Sequence, residues 1–85
     1  MRPDRLLVKI KHGGLDNVSF RDFRRLVEAC GFELGRQRGS HLWFEHPDLP
    51  VSLSLQALSG EAKPYQIRQF LAILQEYPRQ TEGLL

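Results

Sequence analysis

Hydrophobic positions fall into blocks of two different periods along the chain. Residues 19–30 repeat at three- and four-residue spacing: Phe20, Phe23, Leu26, Val27 and Cys30 share one side, with Arg21, Asp22, Arg24, Arg25 and Glu28 on the other. Ser19 is placed to cap this helix and Gly31 to end it. From residue 32 the period becomes two. Phe32 and Leu34 alternate with polar neighbours in a first strand over 32–36. Leu42 and Phe44 alternate with His41, Trp43 and Glu45 in a second over 41–46. Val51, Leu53 and Leu55 alternate with Ser52, Ser54 and Gln56 in a third. The Gln37–Ser40 region turns the chain between the first two, with Gly39 supplying the turn angle. His46–Pro50 is expected to be a loop, since two prolines cannot serve an interior ladder.

Helical spacing returns after Pro64, which suits a first helical turn. Ile67, Phe70, Leu71, Leu74 and Tyr77 then form an apolar stripe that Pro78 ends. Residues 4–11 read either as a short helix with Leu6, Leu7 and Ile10 on one side or as an extended arm. His12 falls in a glycine-containing loop with no duty, and 79–85 read as a frayed tail. The order helix–strand–strand–strand–helix describes an α+β two-layer domain: a three-stranded antiparallel sheet covered by two helices on one face. Its other face stays open and carries His41, Trp43, Glu45, Ser52, Ser54 and Gln56.

Eighty-five residues make one domain, 1–85, with its core at about 19–77 and an N-terminal extension at 1–18. At 41% hydrophobic and 26% charged the composition is that of a globular chain. No apolar run reaches the roughly 20 residues of a membrane helix. No secretory leader is expected, and the single Cys30 precludes an internal disulfide and fits a reducing cytoplasm. Cys30 lies on the buried stripe and reads as a small core residue. The net charge of +2 is modest. Its placement matters more, because Arg21, Arg24, Arg25, Arg36 and Arg38 cluster between residues 20 and 40. The helix arginines fit a solvated face; the two beside the Gly39 turn and His41 point to a polyanion.

Imidazole is the side chain that ordinarily titrates near neutral pH. RNA carries its own nucleophile, the 2′-hydroxyl, so cleaving it requires a base, an acid and positive charge, but no metal. His41 can serve as base or acid, and Arg36 and Arg38 can supply charge. Trp43 offers a ring for base stacking. A lone exposed strand histidine is more often inert than catalytic, and Trp43 serves equally to cover the sheet or to anchor a protein partner. No second well-placed histidine, metal-ligand cluster, phosphate-binding glycine loop or cofactor motif is present. On the residues alone, an RNA-binding module ranks above an enzyme.

The run Phe20-x-x-Phe23…Leu26-Val27-Glu28-x-x-Gly31-Phe32, followed by Arg38-Gly39-Ser40-His41-x-x-Phe44-x-His46-Pro47, resembles the HicA family of toxin endoribonucleases. Ala62-Lys63-Pro64-Tyr65-Gln66-Ile67-Arg68-Gln69-Phe70-Leu71 is similar to a later helix of one subgroup. The resemblance spans about 19–77. It implies a double-stranded-RNA-binding-domain-like fold and an mRNA interferase that cleaves RNA without a metal or cofactor. The essential histidine would be His41, within the motif Gly39-Ser40-His41. A HicB-type antitoxin would bind the toxin and mask that histidine. Arg36, Arg38 and Lys63 as RNA contacts come from charge and location. Typical members often carry a proline and a further histidine after the third strand, where Ser54-Leu55-Gln56-Ala57 stand here. A non-catalytic RNA-binding module is the alternative to the nuclease.

Overall fold

A computed structural model describes residues 1–84. Its elements run α1 (Pro3–Lys11), α2 (Phe20–Ala29), β1 (Glu33–Arg38), β2 (His41–His46), β3 (Leu49–Gln56), α3 (Pro64–Glu76) and a 3-10 turn at Pro78–Thr81. The strands form one antiparallel sheet in the order β1-β2-β3. With its helices this is an α+β fold of the double-stranded-RNA-binding-domain type. No helix among the described residues is long and apolar enough to cross a membrane.

The segment 3–11 is a helix rather than an arm. Pro3 occupies its first turn with Asp4, and Lys9 and Lys11 sit in its last turn, each charge favoured by the helix dipole. What secures it is burial of Leu6, Leu7 and Ile10 against the rest of the core. His12 closes the helix by donating from Nδ1 to the Val8 carbonyl at 2.8 Å, so it has a capping role that the sequence did not suggest. In α2, Ser19 Oγ accepts from the Asp22 N–H at 3.3 Å, the expected N-cap. Gly60 O accepts from Phe20 N–H at 2.9 Å, tying the same end to the loop before α3. Arg24 does not simply face water; its guanidinium lies 5.6 Å from the centre of the Phe44 ring.

The core joins Phe23, Leu26 and Val27 of α2 and Ile67, Phe70 and Leu74 of α3 to Leu42, Phe44, Leu53 and Leu55 of the sheet. Phe70 meets Phe23 edge-on at 5.5 Å and Phe32 at 6.1 Å, both favoured aromatic geometries.

Further sequence expectations are corrected. Strand β1 covers 33–38 rather than 32–36, and Leu34 is 38% exposed rather than inward-buried. It stands on an edge strand where the helices give little cover. The His46–Pro50 loop shrinks to a turn at Pro47-Asp48, with β3 starting at Leu49 and His46 paired with Leu49. Pro50 is accepted because β3 is an edge strand, whose outward N–H positions need no partner. His46 itself is not a loop residue but a core one, at 8% exposure. Its Nε2–H donates to the Cys30 carbonyl at 3.1 Å, while Nδ1 accepts from the Asp48 N–H at 3.1 Å. Its ring meets Phe32 edge-on at 5.0 Å. At the C-terminus, the 3-10 turn and Leu84, which packs against the core, lie within the segment read as a tail; Leu85 lies outside the described residues.

Candidate functional site

The β1–β2 connection is a two-residue turn, Gly39-Ser40, closed by the pair Arg38↔His41. Gly39 has φ +60, and a glycine first in a two-residue hairpin loop is the type II′ pattern. Ser40 Oγ accepts from Gln56 Nε2 at 3.0 Å, which ties the turn to β3. The turn therefore fixes where His41 starts, and alternation along β2 puts His41, Trp43 and Glu45 on the side away from Leu42 and Phe44.

Strict alternation along β1 from Phe32 and Leu34 would send Arg36 and Arg38 to the helix side. The register breaks between Leu34 and Arg36, leaving Gly35 as an extra residue. That bulge resets the phase, so Arg36 stands opposite Trp43 and Arg38 opposite His41. Gly35 suits the position because a Cβ there would come within 3.1 Å of the Glu45 carboxylate. Without the extra residue, the inward phase set by Phe32 and the outward phase set by the turn could not both hold.

Three cross-strand rows result on the open face. Arg38, His41 and Gln56 form the row next to the turn. Arg36, Trp43 and Ser54 form the second. Glu33, Glu45 and Ser52 form the third. Within this surface the His41 imidazole stacks on the Trp43 indole, centroids 4.2 Å apart and planes 10° from parallel. The Arg36 guanidinium lies 5.1 Å from the indole centre. His41 Nε2 is hydrogen-bonded to Ser54 Oγ. Both rings are half-buried, while Arg36 and Arg38 are exposed.

Of the residues singled out in the sequence, His41, Trp43, Arg36, Arg38, Gly39 and Ser40 are thus brought together. Lys63 is not drawn into the cluster by any contact: it is the N-cap residue of α3, its ammonium 5.9 Å from the centre of the Tyr65 ring. Ser54 is the residue the sequence reading passed over. Its outward place in β3 was legible, but its contact with His41 depends on a register that one strand alone does not reveal.

Chemically, this surface combines an imidazole, two guanidinium groups and an indole on one open sheet face. It offers charge for phosphates and a plane for bases. A small α+β domain of the double-stranded-RNA-binding type, with a histidine and arginines on its open sheet, is the class that fold and surface define. The family model described as HicA toxin of bacterial toxin-antitoxin matches residues 20–75, well over half of the chain. The chain belongs to the HicA toxin family. That membership carries a toxin function within a toxin–antitoxin system and implies an antitoxin partner. Comparisons with curated proteins and with solved structures returned no match. The family match begins at Phe20, so α1 lies outside it although its Leu6, Leu7 and Ile10 are fully part of the core.

Proposed function

We propose that the toxin activity is metal-independent endoribonucleolytic cleavage of mRNA, with His41 as the proton-transfer residue. The observation that carries this reading is the position of His41: on the open side of the sheet, stacked on Trp43, in register with Arg38 and one row from Arg36. In the reaction, the RNA 2′-oxygen bonds to the adjacent phosphorus as its proton passes to the His41 ring. The P–O5′ bond then breaks and the 5′ oxygen is protonated, leaving a 2′,3′-cyclic phosphate and a 5′-hydroxyl. Arg36 and Arg38 offset the charge gathering on the phosphorane oxygens. Trp43 stacks a base, Gly39 and Ser40 let the backbone of the strand approach the turn, and Lys63 meets a phosphate farther along the RNA. A HicB-type antitoxin silences the toxin by covering His41. The site of action is the cytoplasm, where mRNA is translated.

The test is conditional expression without an antitoxin. Wild type arrests growth and leaves new 5′-hydroxyl ends in cellular mRNA, whereas His41→Ala does neither. Growth arrest by His41→Ala equal to wild type would remove the catalytic role. The same surface would also serve an RNA-binding module, since the indole and guanidinium groups bind without cutting; arrest without new RNA ends selects that reading.

A further inference from the structure

Ser54 has no part in the reaction just described, yet its hydroxyl is the hydrogen-bond partner of His41 Nε2. It reaches that ring diagonally, since its register partner on β2 is Trp43. The residue directly opposite His41 is Gln56, whose amide is turned aside to Ser40 Oγ. His41 is therefore held at two points: its plane lies against Trp43 and one of its nitrogens is engaged by β3.

The two ring nitrogens then have different fates. A serine oxygen can accept from Nε2–H when the ring is neutral and also when it is an imidazolium. A serine O–H could instead donate to a bare Nε2 of the neutral ring; where the hydroxyl accepts, the proton on Nε2 stays in place and the one that comes and goes is on Nδ1. We infer that Ser54 is a positioning residue: it holds His41 through Nε2–H and leaves Nδ1 as the nitrogen that exchanges protons at the open face. The inference rests on the nuclease reading for its purpose, though not for its geometry. In the cleavage step the 2′-hydroxyl proton goes to Nδ1 as the O2′–P bond forms. As the P–O5′ bond breaks, that same proton passes, directly or through a water molecule, to the 5′ oxygen. Nε2–H remains bonded to Ser54 throughout, so protons and charges balance.

A serine that only filled space in the sheet would leave the imidazole protons unchanged when replaced. The measurement is nitrogen-15 NMR of the His41 ring in the intact protein, paired with cleavage of a labelled mixed-sequence RNA. Wild type is expected to show a neutral ring protonated on Nε2, with a cross-peak from that proton to the Ser54 methylene. In Ser54→Ala the cross-peak is absent, and exchange of the ring proton with water accelerates on the order of tenfold. The same variant cuts RNA with kcat lowered about tenfold and KM within about twofold, the loss expected for one hydrogen bond that orients the ring. Ser54→Thr, which keeps the hydroxyl, restores both readouts. A wild-type ring protonated on Nδ1 overturns the inference without need of any variant. So does a Ser54→Ala protein whose ring-proton exchange and kcat match wild type. Wild-type ring spectra as expected, in a protein that leaves RNA intact, uphold the positioning and refute the nuclease reading.

Discussion

Replacing His46 with alanine should cost stability that replacing His41 does not, although the two histidines lie on the same strand. The His46 ring occupies space between Gly31 and Phe32, meeting Phe32 edge-on at 5.0 Å. Losing an aromatic pair of this kind costs about 0.5–1.5 kcal/mol beyond area terms. Truncation also leaves the Cys30 carbonyl without its donor, about 1–3 kcal/mol for a buried group. The Asp48 N–H loses its acceptor as well, but Asp48 is exposed and water can replace the ring there. Adding part of a cavity penalty gives a total near 3–4 kcal/mol. A domain of this length has roughly 4–13 kcal/mol in all, so the variant should be close to marginal. Urea unfolding followed by far-ultraviolet circular dichroism measures it. With a slope near 1 kcal/mol per molar, the midpoint should fall by about 3 M, against less than about 1 M for His41→Ala. A loss below about 1 kcal/mol for His46→Ala, or equal losses for the two variants, would refute the assignment of His46 to structure.

Gly31→Ala should be nearly as damaging, since φ is +95 and an added Cβ would sit 2.7 Å from His46 Nε2. A loss of about 2 kcal/mol or more, read as a fall in Tm of roughly 10 °C, is expected; an unchanged melting curve would contradict it. Burial pushes the Cys30 thiol up to about 11 from 9.0, against a smaller opposing effect of the Lys11 charge. The folded protein holds this proton more tightly than the unfolded chain. Its contribution to stability is therefore complete below pH 9 and is lost as pH rises toward 11. Over that interval wild type should lose more stability than Cys30→Ala; parallel curves would rule the thiol out. Arg36→Ala and Arg38→Ala should each weaken RNA binding and flatten the dependence of log K on log salt by about one contact. Unchanged salt slopes would separate these arginines from the phosphates.

The parts of the fold that were legible are those where a single element carries its own period. The stripe Phe23, Leu26, Val27 of α2 and the alternation Leu42, Phe44 of β2 were both readable without neighbours, and both are buried as expected. So was the outward placement of His41, because it alternates with the apolar Leu42 and Phe44. Less legible were features that depend on two elements meeting. Segment 3–11 is too short for local pattern to choose helix over arm; contact with α2 decides it. The Gly35 bulge settles a conflict between the inward phase of Phe32 and the turn, and alternation alone hides it. His46 reads as polar and next to a proline, yet the Cys30 carbonyl and the Phe32 ring make a buried place for it. Ser54 and His41 meet only once the β2–β3 register exists.

The most direct measurement is to incubate purified protein with mRNA in the presence of a chelator and to determine the chemistry of any new ends. Wild type should yield 2′,3′-cyclic phosphate and 5′-hydroxyl termini, and a folded His41→Ala protein should leave the RNA full length. Fragments produced equally by His41→Ala would contradict the account.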